Sequence, residues 1–223
     1  ASRDQERSAT LEPQVVHRSY QDLINDPMVD AVYISLTNAQ HKEWVLAALN
    51  AGKHVLCEKP LAMNASEVGT MLDAATRNNR LLVEAVWTRW QPRMQRMAQI
   101  VKSGELGEVT GISSAFTFQG DLTNNYRLDP SLGGGALLDV GVYQAHLWLM
   151  LLNEDVSFSI ESVERTMGDT GVDLTTRAQL QLNNSVTAHL VSSFDLPPQQ
   201  HIEVTGTTAT MRTGEGEAFT LWK

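Results

Sequence analysis

His54-Val55-Leu56-Cys57-Glu58-Lys59-Pro60 is an apolar strand that closes on a Glu-Lys-Pro triplet. A residue that precedes proline is barred from helical backbone angles, so the strand stops at Lys59 and the amine is held in an extended turn. In open α/β sheets, ligands sit at the carboxyl ends of the strands. The triplet therefore puts a charged amine where such a sheet does its chemistry, the alternative being one more solvated lysine at a strand end. On either side the pattern is α/β. Residues 31–35 read as a short buried strand and residues 42–50 as a helix with Trp44, Val45, Leu46, Ala48 and Leu49 free to pack, stopped near Gly52. Ala65–Asn78 reads as a second helix, capped by Asn64 with Glu67 three residues on, and residues 81–85 as a third strand. Strands alternating with helices imply parallel crossovers and a doubly wound, Rossmann-like sheet. Residues 1–4 read as the loop after a strand that the sequence does not contain, and residues 14–17 as a possible short strand before a helical 20–24.

The 223 residues, 42% of them hydrophobic, suffice for one large domain or two smaller ones with real cores. No apolar run approaches the roughly 18 residues of a membrane span, and no charged-then-apolar leader opens the chain. One cysteine, Cys57, excludes an internal disulfide framework and suits a reducing compartment, so a soluble, cytoplasmic protein is expected, with Cys57 in the core. A formal charge of −9 and a pI near 5.1, without basic clusters, argue against nucleic acid as a partner. The six histidines show no H-x-x-x-H spacing and have no cysteine partners, so no metal site is expected.

After about residue 87 the texture changes. A helix over 94–102, ended by Ser103-Gly104, gives way to strands over 109–118, 157–167, 174–182, 185–193 and 201–206. Ala178, Leu180 and Leu182 alternate with Gln179 and Gln181, the mark of a largely antiparallel sheet with one buried and one wet face. Asn183-Asn184 is a hairpin turn suited to positive φ. The expected organisation is a Rossmann-like domain over 1–87, N-terminally incomplete, and an α+β domain over 88–223 with a large open sheet.

One helix, residues 135–152, interrupts the strands. In Gly133-Gly-Gly-Ala-Leu-Leu-Asp139-Val-Gly141-Val-Tyr143-Gln-Ala-His146, a carboxylate, a phenol and an imidazole recur at helical spacing and lie along one face. Such groups on a greasy helix cannot stay unpaired in a core. The three glycines let another backbone or a ligand approach the helix start closely. A buried polar network that fixes packing is the other reading of the stripe, and for His146 alone a structural role is the natural one.

Together, Thr37-Asn38-x-x-His41, Glu58-Lys59-Pro60 and the Gly-Gly-Gly-Ala-Leu-Leu-Asp139-Val-Gly-Val-Tyr143 run resemble the glucose-fructose oxidoreductase/inositol dehydrogenase/rhizopine-catabolism (Gfo/Idh/MocA) family, over nearly the whole chain. Glu84-Ala-Val-Trp87-Thr-Arg89 and Tyr126-Arg127-Leu-Asp-Pro130 look most like the branch holding dimeric dihydrodiol dehydrogenase, D-xylose dehydrogenase and glucose-fructose oxidoreductase. The resemblance implies an NAD(P)-dependent oxidoreductase acting on a sugar or cyclic diol, and a homodimer formed through the open sheet. Tyr143 would be the general acid/base, Lys59 would sit beside the nicotinamide, and Asp139 would orient the substrate. A free phenol ionises near pH ~10, and a neighbouring ammonium favours the phenolate. Glu58, Pro60, Thr37, Asn38 and His41 become cofactor contacts, although Thr and Asn also serve as helix caps. Trp87, Arg89, Arg127 and His146 become substrate contacts, or else packing groups. Ser2-Arg3 stands where a dinucleotide fold reads the ribose, and the Arg favours NADP over NAD.

No Gly-x-Gly-x-x-Gly follows a strand anywhere in this sequence, whereas the family begins with one. A fragment or partial chain is expected on that ground, since the turn supplies the amides that hold pyrophosphate. The same departure keeps open a second class of function, a non-catalytic binding or assembly module of the same fold whose alternating apolar sheet face demands a cover.

Overall fold

The computed structural model describes the chain except Arg3, Glu154, Glu215, Glu217, residues 221–223 and the side chains of Gln5 and Arg7. It divides into two compact units, Ala1–Ala85 and Val86–Lys223. Among the described residues no helix is long and apolar enough to cross a membrane.

The first unit opens with two short helices, α1 (Gln5–Ala9) and α2 (Tyr20–Asn25). It then alternates β1 (Ala31–Ile34), α3 (Asn38–Asn50), β2 (His54–Glu58), α4 (Ala65–Asn78) and β3 (Leu82–Ala85). The strands form a parallel sheet in the order β1-β2-β3. Period-two alternation sends Ile34, Val55 and Cys57 to one side, where Val45, Ala48 and Leu49 of α3 and Met71, Ala74 and Ala75 of α4 complete a core. Asn64 caps α4 as its sequence foretells: its Oδ1 accepts the Glu67 N–H at 3.0 Å, while Glu67 Oε2 accepts the Met63 N–H at 3.2 Å. Burial and the nearby Glu84 and Glu58 carboxylates push the Cys57 thiol up to about 12.

Two expectations for this unit fail locally. Residues 14–17 form no strand; Val15 is exposed, and His17 turns instead to Asp26 at 2.8 Å. Helix α3 begins at Asn38, ahead of the expected 42, because Thr37 holds the extended N-cap conformation and Asn38 enters the first turn.

The second unit contains α5 (Pro92–Ser103), β4 (Val109–Thr117), a π-helical segment (Leu137–Gly141), α6 (Val142–Leu151), and the strands β5 (Phe158–Met167), β6 (Asp173–Leu182), β7 (Val186–Ser193), β8 (Gln199–Gly206) and β9 (Thr210–Arg212). Six strands pair in the order β5-β6-β7-β4-β8-β9, antiparallel except where β4 meets β7. Asn183 and Asn184, at φ 50° and 58°, make the left-handed turn between β6 and β7. The row Ile160, Leu180, Ala188, Ile112, Val204 and Met211 crosses all six strands. On that side the sheet packs against Met94 and Met97 of α5 and Leu147 and Leu151 of α6.

The next row, Ser162, Gln179, His189, Ser113, Glu203 and Arg212, faces the other way and is polar throughout. The alternating apolar residues of β6, β7, β4 and β8 lie on the helix side, while Phe158 and Ile160 of β5 remain exposed there.

Candidate active site

In the first unit the chemistry gathers where β2 ends. The Lys59–Pro60 bond is cis. Glu58 takes the Tyr33 hydroxyl on one carboxylate oxygen and the Lys59 N–H, at 3.2 Å, on the other. That hydrogen bond to Glu58, with partial burial, pushes the Tyr33 phenol up to about 12. Glu84 Oε1 accepts the Leu61 N–H at 2.9 Å, so β3 fixes the far side of the same turn.

His41, expected at the cofactor, is fully buried instead. Its Nδ1 lies 2.9 Å from the Pro60 carbonyl oxygen and its Nε2 3.0 Å from that of Leu36. The ring lies between the turn after β2 and the turn after β1, each nitrogen facing a main-chain carbonyl oxygen. Asn38 is buried in the first turn of α3, and the Thr37 hydroxyl donates to Gln40 Oε1 at 3.0 Å instead of capping the helix. Thr37, Asn38, Glu58, Lys59 and Pro60 thus sit together at the carboxyl edge of the parallel sheet. Ser2 Oγ accepts the Asp4 N–H at 3.2 Å. Arg3, the basis for preferring NADP, lies outside the described residues.

In the second unit the expected residues collect around one phenol. Tyr143 is only 9% exposed. Its ring stacks on Phe116 (centroids 5.7 Å apart, planes at 28°) and lies 6.3 Å from Phe219, which in turn stacks on Phe116 at 5.4 Å. The Trp87 indole N–H donates to Tyr143 Oη at 3.1 Å. Thr88, Arg89, Met94 and His146 line the same recess as Tyr143. Asp139 is buried and receives Arg127 in a two-point grip, Nε to Oδ2 at 2.7 Å and Nη2 to Oδ1 at 3.4 Å. Burial works against the Arg127 charge, but the hydrogen bond and charge of Asp139 outweigh it, and the guanidinium is held above its ordinary range; Tyr143 is also within its electrostatic reach.

The backbone around Asp139 departs from the continuous helix expected over 135–152. Residues Leu137–Gly141 are π-helical before α6 begins, and such segments inside helices recur at functional sites. The glycines before it serve the chain itself. A Cβ on Gly134 would stand 2.4 Å from the Arg127 carbonyl oxygen, and one on Gly135, at φ 117°, 2.3 Å from Asp173 Oδ1. The close approach belongs to backbone and to Asp173, whose Oδ2 accepts the Leu137 N–H at 2.8 Å.

Sequence reasoning missed Asp173, Phe116 and Phe219. None carries a local signal: Asp173 opens a strand, and Phe219 meets Tyr143 only through the fold. Among the described residues no group of three His, Cys, Asp or Glu could hold a metal.

Residues 1–86 match the family described as "Oxidoreductase family, NAD-binding Rossmann fold", and residues 94–212 match "GFO/IDH/MocA C-terminal domain". The chain is 37% identical over 212 residues to D-xylose 1-dehydrogenase (NADP(+)) 2 of Haloferax volcanii, covering 92% of this chain and 63% of the relative. It is 35% identical over 190 residues to trans-1,2-dihydrobenzene-1,2-diol dehydrogenase of Mus musculus, covering 85% of this chain and 56% of that one. Among solved structures, KijD10, a 3-ketoreductase from Actinomadura kijaniata in complex with NADP and TDP-benzene, superposes with a TM-score of 0.86 at 29% identity, over 98% of this chain and 67% of the other. The chain thus spans less than two thirds of the length of these two curated relatives.

Proposed function

The chain belongs to the GFO/IDH/MocA oxidoreductase family, and from that premise we propose that it works as an NAD(P)-dependent dehydrogenase on a carbinol of a sugar or cyclic trans-diol. The observation that carries this reading is the phenol of Tyr143, pinned between rings and flanked by the Arg127–Asp139 pair. Tyr143 is the general acid/base, receiving the hydroxyl proton on Oη when substrate is oxidised and returning it when a carbonyl is reduced. Lys59 keeps the role that the family resemblance implies, an ammonium whose charge would favour the phenolate. Asp139, gripped by Arg127, orients substrate hydroxyls, and Trp87, Arg89, Arg127 and His146 shape the substrate pocket.

Thr37, Asn38, Lys59 and Pro60, at the strand ends where such sheets bind ligands, fit the nicotinamide end of a dinucleotide. No strand, glycine turn and helix for its pyrophosphate lie among the described residues. When bound, the nicotinamide is the hydride acceptor. NADP is the preferred form, supported by the names of the haloarchaeal relative and of the KijD10 complex. A homodimer through the open face of the second sheet completes the proposal, with an interface that its polar row would make rich in hydrogen bonds.

The test is oxidation of D-xylose and of trans-1,2-dihydrobenzene-1,2-diol with NADP and with NAD, in the parent protein and in Tyr143→Phe. Turnover of at least one substrate is expected to fall about 10²–10⁴-fold in the variant, the range for loss of a general acid/base, with cofactor affinity held. Equal turnover in both proteins removes Tyr143 from the role.

A further inference from the structure

We infer that Trp87 is a positioning residue for proton transfer at Tyr143: its indole N–H fixes the phenol oxygen as an acceptor and steadies the charge left there once the proton has gone. The inference rests on the reading of Tyr143 as the acid/base, and it gives Trp87 a duty beyond that of a pocket wall.

An indole N–H can only donate. At 3.1 Å from Trp87 Nε1, Tyr143 Oη must accept from it in both protonation states, so the phenol's own hydrogen has to point away from Trp87. A hydrogen bond to an oxygen strengthens when that oxygen becomes charged, so the contact favours the phenolate over the phenol.

The geometry is held from several sides. Trp87 opens a 3-10 turn, Trp87–Trp90, directly after Val86, which is buried in the core. The turn closes at the fully buried Gln91, whose Nε2 donates to the Phe219 carbonyl at 3.2 Å. Phe219 lies beside the Tyr143 ring, and the Trp87 and Tyr143 rings meet edge to face at 81°, 6.5 Å apart. The donor and the ring that carries the acceptor are therefore joined in one closed circuit: turn, Gln91, Phe219, Tyr143, turn. Among the described residues of this unit, Arg127 lies within electrostatic reach of the phenol, Asp139 grips Arg127, and Arg89 and His146 line the recess. The Trp87 indole N–H does not titrate, so it remains a donor to the phenol oxygen at every working pH.

Trp87→Phe keeps an aromatic ring and removes the N–H. In the purified protein this variant is expected to lose about tenfold in kcat with KM changed less than about twofold, the size of one hydrogen bond to a charged group, and its kcat–pH profile should move to higher pH. A second reading needs no turnover: in an ultraviolet titration of tyrosinate, the component that Tyr143→Phe deletes should appear at higher pH in Trp87→Phe than in the parent. If the titration and the pH profile of Trp87→Phe match the parent while Tyr143→Phe is inactive, the inference is overturned and the acid/base reading stands. If kcat falls with the titration unmoved, Trp87 is a wall only, and the inference is again overturned. If Tyr143→Phe keeps full turnover, the acid/base reading fails and takes this inference with it.

Discussion

The two sheets obey one alternation rule and leave opposite chemistry on the side away from their helices. In the first unit the row Tyr33, Leu56 and Val83 runs across all three strands and is apolar, yet each residue is at least 41% exposed. In the second unit the corresponding row, from Ser162 through His189 to Arg212, is polar across all six strands. Parallel strands joined by crossovers ordinarily carry apolar residues on both faces, whereas a sheet dominated by antiparallel pairs keeps one face for water. The bare side of the first sheet is chemically an inner surface and that of the second an outer one. Sheet type, more than the amount of apolar sequence, decides which residues a strand can leave uncovered.

The contrast can be broken most forcefully at the buried row of the second sheet. Ile112 is 1% exposed and meets Ala188 and Val204 across the strands, so Ile112→Ala is expected to cost about 2–5 kcal/mol in urea unfolding. A loss below about 1 kcal/mol would mean that this side is no true core.

The first sheet offers a smaller, pH-dependent effect. The Glu58 hydrogen bond raises the Tyr33 phenol from 10.0 to about 12, so the folded protein holds that proton more tightly than the unfolded chain does. The contribution is whole below the unfolded value and disappears as pH rises from about 10 through about 12. Tyr33 is largely exposed, so solvent screening keeps the contribution within about 1 kcal/mol. Unfolding free energies measured over this pH range should show a decline in the parent that is smaller in Tyr33→Phe. Identical declines would detach Glu58 from Tyr33.

The smallest effect is expected on the polar row. His189→Ala should change stability by no more than about 0.5 kcal/mol, as is usual for an exposed site. A larger loss that grows on dilution of the protein would show that the row is packed against another subunit.

Much of this architecture is legible one residue at a time. The Asn64 cap, the Asn183-Asn184 turn, the strand His54–Glu58 and the alternation of β6 each depend on neighbours within a few positions, and each falls where the sequence puts it. The candidate site is legible only in part. Asp139, Tyr143 and His146 are recognisable as polar groups on a greasy helix, but their spacing alone implies an unbroken α-helix, and the π segment is invisible to it. His41 reads as a cofactor contact only through the family resemblance of Thr37-Asn38-x-x-His41; its burial between two carbonyls is a property of how two turns meet.

By itself, the sequence determined the order of helices and strands, the two kinds of sheet, and the residue types able to move a proton, because periodicity, capping and turn chemistry act over a few residues of chain. The tertiary structure alone decided which groups hold those residues. Phe219 beside Tyr143, Trp87 on its oxygen, Arg127 on Asp139, and Asp173 on the glycine-rich helix start are meetings across 12 to 76 positions. Which such pairs form depends on how whole elements pack, and no local propensity encodes that.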